Sequence, residues 1–152
     1  MEIREIREHK KRFLALLLLG DEQESMIDRY LERGTMYVLD DGGIRGECVV
    51  TDEGNGVLEI KNIAVKPESQ GKGYGRAMIE FLVQKYRGRY AALQAGTGDS
   101  PLTVPFYETC GFVRAGRIQN YFADQYDHPI WEGGVRLTDL IYFRRELGER
   151  EI

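Results

Sequence analysis

The chain has 152 residues, 42% hydrophobic and 30% charged. These values fit one domain with one core, covering 1–152, and exclude a disordered segment. Its net charge of −4 argues against nucleic acid, which calls for a basic stripe, and suits a cationic small molecule. Cys48 and Cys110 form no CxxC pair, so zinc-site spacing and a disulfide framework are absent, although a single bridge between them stays open. The chain therefore reads as cytoplasmic.

Ile3 to Arg7 reads as a first strand. A helix is expected over Lys10 to Leu19. Its run Phe13-Leu14-Ala15-Leu16-Leu17-Leu18-Leu19 stops at Gly20 and Asp21, short of the roughly 20 apolar residues that span a bilayer. No small-residue cleavage pattern follows it, so it reads as a core helix and no membrane partner is expected. A second helix starts near Asp21 or Glu22 and carries Met26, Ile27, Tyr30 and Leu31 on one face. Gly34 is expected to end it in a left-handed conformation. Met36 to Leu39, Gly46 to Thr51 and Val57 to Val65 are strands, separated by the turns Asp40-Asp41-Gly42-Gly43 and Asp52-Glu53-Gly54-Asn55-Gly56, which makes an antiparallel meander.

The pattern changes at Pro67. A glycine-rich stretch leads into a helix carrying Ala77, Met78, Ile79, Phe81, Leu82 and Val83. Tyr90 to Ala95 is a strand, parallel to the preceding one because a helix joins them. Leu102 to Cys110 reads as a short helix, Phe112 to Ile118 as a strand, Asn120 to Gly134 as a polar, aromatic loop, and Leu137 to Leu147 as the closing strand.

Gln70-Gly71-Lys72-Gly73-Tyr74-Gly75-Arg76 lies between a strand and a helix. Glycines there let the backbone turn and approach a ligand closely. Free N–H groups and the dipole at a helix start favour a phosphate or pyrophosphate. The spacing fits neither a Walker motif nor a dinucleotide fingerprint, and a tight turn without ligand is the competing reading.

Gln70-x-x-Gly73-x-Gly75 resembles the Gln/Arg-x-x-Gly-x-Gly/Ala signature of the GNAT acyltransferases. The similarity extends upstream to Asn62-Ile63-Ala64-Val65-Lys66-Pro67-Glu68 and downstream to Phe106-Tyr107-Glu108-Thr109-Cys110-Gly111-Phe112, which looks like the family's Tyr-x-x-x-Gly-Phe element. The resemblance implies an α+β (α/β/α) GNAT fold. Its mixed central sheet has about six to seven strands, with an antiparallel N-terminal meander and a splayed parallel pair, flanked by helices. It further implies acetyl-CoA as co-substrate, no metal, and a small-molecule or peptide amine as acceptor. A homodimer is compatible with it.

The resemblance also implies site residues. The CoA pyrophosphate is expected on backbone N–H groups of Gly71, Lys72, Gly73, Tyr74, Gly75 and Arg76, beside Gln70. The pantetheine arm is expected along Ile63, Ala64 and Val65, as a peptide adds to a sheet edge, with the Ile63 N–H available to a developing oxyanion. Where family members often place Asn near the pantetheine, this sequence has Thr97-Gly98-Asp99-Ser100, so Asp99 and Ser100 take that position. Tyr107 resembles the general acid that protonates the leaving thiolate; a phenol with pKa ~10 can donate at neutral pH. Glu59 resembles the glutamate that some members use as general base, a role for which burial should raise its pKa. Each has a structural alternative: a core tyrosine beside Phe106, and a strand carboxylate paired with Lys61.

The loop 120–134 holds Asp124, Asp127 and Glu132 and no Lys or Arg. These acids, with Tyr121, Phe122, Tyr126 and Trp131, are candidates to hold a cationic amine; solvated acids and aromatics that pin the loop to the sheet are the alternative. His128 can contact substrate but reads more simply as a loop residue. Two other functions stay open: an acyl-CoA sensor, which would need neither Glu59 nor Tyr107, and an interaction domain, which acetyl-CoA would not stabilise.

Overall fold

A computed structural model describes residues 1–148. Its centre is a seven-stranded mixed sheet in the order β1-β2-β3-β4-β5-β9-β6. β1 (Glu2–Ile6), β2 (Thr35–Asp40), β3 (Ile44–Gly54) and β4 (Val57–Val65) form the expected antiparallel meander. α3 (Tyr74–Tyr86) crosses over to β5 (Ala92–Gly98), which lies parallel to β4. β9 (Leu140–Glu146) then runs antiparallel to both β5 and β6 (Val113–Ile118).

The inner strands β2 and β3 are apolar on both faces because helices cover both faces there. Along β2, Tyr37 and Leu39 face α3 with its Met78, Ile79, Leu82 and Val83. The alternate residues Met36 and Val38 face Leu17 of α1 (Leu14–Gly20) and Ile27 of α2 (Glu24–Ile27), as a period of two requires. The apolar run of α1 is thus a core helix, with Leu17 fully buried. No helix among the described residues is long and apolar enough to cross a membrane. Cys48 and Cys110 are both buried and both free thiols, which closes the question of a bridge between them.

Three local expectations need correction. The first helix begins as a 3-10 turn over Lys10–Phe13. The second is regular only over Glu24–Ile27, because Tyr30 N–H already bonds back three residues to Ile27 O. Its apolar face is nonetheless as expected, with Met26, Ile27, Tyr30 and Leu31 buried. Gly34 does not adopt a left-handed conformation. A Cβ there would come within 2.8 Å of Val49 Cγ1 and 2.9 Å of Tyr30 O, so close packing excludes a side chain. The buried Lys10 ammonium donates to Leu31 O (2.9 Å) and Gly34 O (2.7 Å), satisfying carbonyls that the short helix leaves free.

The segment read as a polar loop is more ordered than expected. It contains α5 (Tyr121–Gln125) and β7 (Trp131–Glu132), which forms a hairpin with β8 (Val135–Arg136) just beyond it. Its Phe122 and Ile130 form a small core with Leu137 and Leu140 of the chain that follows, and the Phe122 and Tyr126 rings stack at 5.5 Å.

Candidate active site

β4 and β5 pair only from Val57↔Ala92 to Ile60↔Ala95. At that point β4 carries a bulge: Val49 of β3 opposes Asn62 and Val50 opposes Ile60, leaving Lys61 as the extra residue. A bulge bends and twists its strand. β4 turns away with β3, while β5 continues alongside β9. The two strands therefore splay beyond Ile60 and open a cleft of about 920 Å³, a volume within the usual range for ligand sites.

Ile63, Ala64 and Val65 line one wall, on the β4 edge that has no strand partner beyond Ile60. The glycine loop closes one end. Gly71 (φ 78°) and Gly73 (φ 84°) are left-handed, with open space where a Cβ would stand, and Gly73 is the N-cap of α3. Backbone bonding resumes only at Ala77 N–H to Gly73 O, so no backbone carbonyl among the described residues accepts from the N–H groups of 71–76. That is an anion cradle at a helix start. Gly75 is different: a Cβ there would lie 3.0 Å from the Phe106 ring, so it lets α4 (Val104–Thr109) approach the loop. The side chains of Gln70 and Tyr74 brace the loop. Gln70 donates to Val65 O (3.1 Å) and the Tyr74 hydroxyl to Asp41 (2.5 Å). Arg76 lines the cleft; Lys72 is exposed beside it.

Tyr107 stands on α4 in the cleft wall, 5% exposed. Its ring stacks on Phe143 at 5.6 Å and meets Phe106 and Phe112 edge-on. Burial pushes its phenol well above the ordinary tyrosine value, so it stays a donor at neutral pH. Glu59 lines the cleft at the foot of the splay, nearly buried. Its Oε2 lies 2.5 Å from Lys61 Nζ, and its Oε1 accepts from Gln94 Nε2 at 2.6 Å. The pairing with Lys61 weighed from sequence is thus present, and Glu59 faces the open cleft as well.

The remaining expected residues divide. Glu132 lines the cleft; burial raises its carboxyl pKa, and it accepts from Ser100 Oγ at 3.1 Å. Ser100 is buried, also accepts from Leu102 N–H, and holds this corner together without lining the cleft. Asp99 is exposed outside the cleft, 3.5 Å from Arg114. Asp124 is exposed outside it as well, and Asp127 pairs with His128 Nδ1 at 2.5 Å. His128 Nε2 reaches Glu22 at 2.8 Å, and the two carboxylates raise the imidazole pKa.

Sequence reasoning missed Asp21. It lines the cleft, accepting from the hydroxyls of Tyr30 (2.9 Å) and Tyr126 (2.7 Å). Burial raises its carboxyl pKa, against the pull of those hydrogen bonds. Its only sequence signal was an acid directly after the glycine that ends an apolar run.

A sheet opened at its parallel pair, with an anion cradle at one end and a buried phenol in the wall, is the framework of an acyl-CoA-dependent acyltransferase. Comparison with known proteins agrees: residues 32–114 match the model of the acetyltransferase (GNAT) domain. A Bacillus subtilis protein named uncharacterized N-acetyltransferase YvbK is 33% identical over 129 residues, covering 83% of each chain. The structure of an IAA acetyltransferase from Bacillus cereus superposes with a TM-score of 0.87 at 33% identity, covering 95% of this chain and 98% of that one. A GNAT family acetyltransferase from Elizabethkingia anophelis with acetyl-CoA bound gives 0.87 at 32% identity, covering 95% and 97%. The chain belongs to the GNAT acetyltransferase family.

Proposed function

We propose that this chain is a cytoplasmic N-acetyltransferase that moves an acetyl group from acetyl-CoA to a primary amine of a small molecule or peptide, by direct attack in a ternary complex. What supports it most is the splay of β4 from β5 between the glycine cradle and Tyr107. A thioester lying along Ile63 to Val65, with its pyrophosphate on the N–H groups of 71–76, would bring its sulfur toward the phenol. Two buried free thiols suit a reducing compartment.

The chemistry follows from the groups available. An amine attacks only when neutral, and with pKa ~10.4 only about one in a few thousand is neutral at pH 7. Glu59 takes the proton, directly or through water. Lys61 and Gln94 occupy two of the roughly four acceptor sites on its carboxylate, so capacity remains on the cleft side. As the C–N bond forms and the C–S bond breaks, Tyr107 donates its proton to the sulfur. Asp99 and Ser100 act by shaping the corner beside α4, and Glu132 by its charge at the acceptor end.

The test is a turnover screen with acetyl-CoA, reading thiol release against monoamines, amino acids, polyamines and peptides. Release that depends on both enzyme and amine is expected; none with any amine would leave an acyl-CoA sensor. Glu59→Gln should lower kcat about ten- to a hundred-fold at neutral pH and recover part of it as rising pH deprotonates the free amine. An equal loss at every pH would give Glu59 a binding role instead.

A further inference from the structure

The charged groups around the acceptor half of the cleft are mostly compensated in place. Lys61 pairs with Glu59, Arg33 with Glu53, and Glu22 with His128. Besides Glu132, which only hydroxyls meet, two opposite charges are not. Asp21 accepts only from neutral donors, the Tyr30 and Tyr126 phenols and the Gln23 backbone N–H, and among the described residues no cation lies within ion-pair distance of it. Arg29 lines the same cleft, and its guanidinium donates only to the amide oxygen of Gln125 at 2.8 Å. Among the described residues it too has no ion-pair partner.

Both groups are tied to the end of one short helix. Asp21 is held by Tyr126 and Arg29 by Gln125, neighbouring residues at the end of α5. Tyr121, from the same helix, lines the cleft and lies near enough to sense both charges. A carboxylate lacking a cation and a guanidinium lacking an anion form the complement of a zwitterion. Around them the wall is apolar or aromatic, with Met26, Phe122, Ile130 and Tyr142.

We infer that the acceptor is an α-amino acid with an apolar or aromatic side chain, its ammonium received by Asp21 and its carboxylate by Arg29. A guanidinium suits that second task because it can grip a carboxylate with two parallel N–H donors. Asp21 docks the charged amine before Glu59 takes its proton, so the two carboxylates have separate duties. The groups facing Asp21 are Glu22 on its own loop, Tyr30 with Asn62 behind it, Tyr121 and Tyr126 from the α5 segment, and the buried Glu47 of β3 beyond Tyr30. None of them is a cation, so the ammonium supplies the missing charge.

This inference rests on the chain being an amine acetyltransferase, and the test separates the two. Wild-type kcat/KM is measured with acetyl-CoA and two matched pairs: L-phenylalanine with phenethylamine, and L-leucine with isopentylamine. In at least one pair the amino acid should exceed its decarboxylated partner by about ten- to a hundred-fold, the range for a hydrogen bond to a charged group. Arg29→Gln should abolish that preference while leaving the plain amine unchanged, and Arg29→Lys should restore part of it. Asp21→Asn should raise KM for both members of the pair and leave acetyl-CoA affinity intact. It should also fold, because a carboxyl whose pKa burial raises loses stability as pH climbs above its unfolded value, and the amide escapes that loss. Turnover in which the decarboxylated amine equals or exceeds the amino acid in both pairs, or a preference that survives Arg29→Gln, would overturn the zwitterion site. Turnover of other amines with none of these four would overturn it as well. A wild-type enzyme that acetylates no amine at all would instead remove the functional reading beneath it.

Discussion

Replacing Tyr107 with phenylalanine is expected to lower kcat about ten- to a thousand-fold, within the range for general acid catalysis, with little change in acetyl-CoA affinity. The substitution isolates the hydroxyl. Phenylalanine keeps the stack on Phe143 and the edge contacts with Phe106 and Phe112. No side chain among the described residues takes a hydrogen bond from the phenol, so its removal leaves no orphaned partner. The departing thiolate, by contrast, would lose its proton source in the cleft wall. A mutant with wild-type stability and wild-type kcat, chemistry being rate-limiting, would return Tyr107 to the role of a core aromatic.

The second large effect is expected at Gly20, where α1 presses on the bulged strand. A Cβ there would overlap the Asn62 amide oxygen and lie 3.1 Å from Ile63 O. Asn62 cannot step aside cheaply: it is buried, and its Nδ2 donates to Leu17 O (2.9 Å) and the Tyr30 hydroxyl (3.1 Å). Gly20→Ala must therefore lift α1 off the sheet or break that network, at about 2–4 kcal/mol from overpacking and lost buried hydrogen bonds. The melting temperature should fall by roughly 5–15 °C. Because Asp21 is the next residue, KM for the amine should rise in parallel. Gly116→Ala is the control, since its Cβ would meet only Tyr142 at an ordinary 3.9 Å. Equal stability of the two variants would show that α1 does not press on β4 through this glycine.

Much of this fold can be read in one dimension. β4 runs over the expected Val57–Val65, because its apolar pattern is bounded by a glycine turn and Pro67. The glycine cradle and Tyr107 are legible because each lies within a short contiguous motif. The acceptor side is not. Asp21 becomes a cleft residue only through Tyr126, 105 positions away, and Arg29 only through Gln125, 96 positions away. No local period records such contacts. Charge counting along 120–134 gave all three acids the same standing, yet Glu132 lines the cleft while Asp124 and Asp127 lie outside it, because β7 and β8 fold only part of that segment inward. The Lys61 bulge was likewise invisible, since one extra residue in a strand leaves its composition unchanged.

The most direct test of the central claim is calorimetric titration of the wild-type chain with acetyl-CoA. One site per chain in the micromolar range is predicted, with CoA competing for it and an Arg76→Ala chain binding more weakly, because Arg76 lines the cleft beside the glycine loop, where its charge would meet bound phosphates. Absence of binding by the wild-type chain, with no rise in melting temperature at saturating acetyl-CoA, would contradict the account at its root.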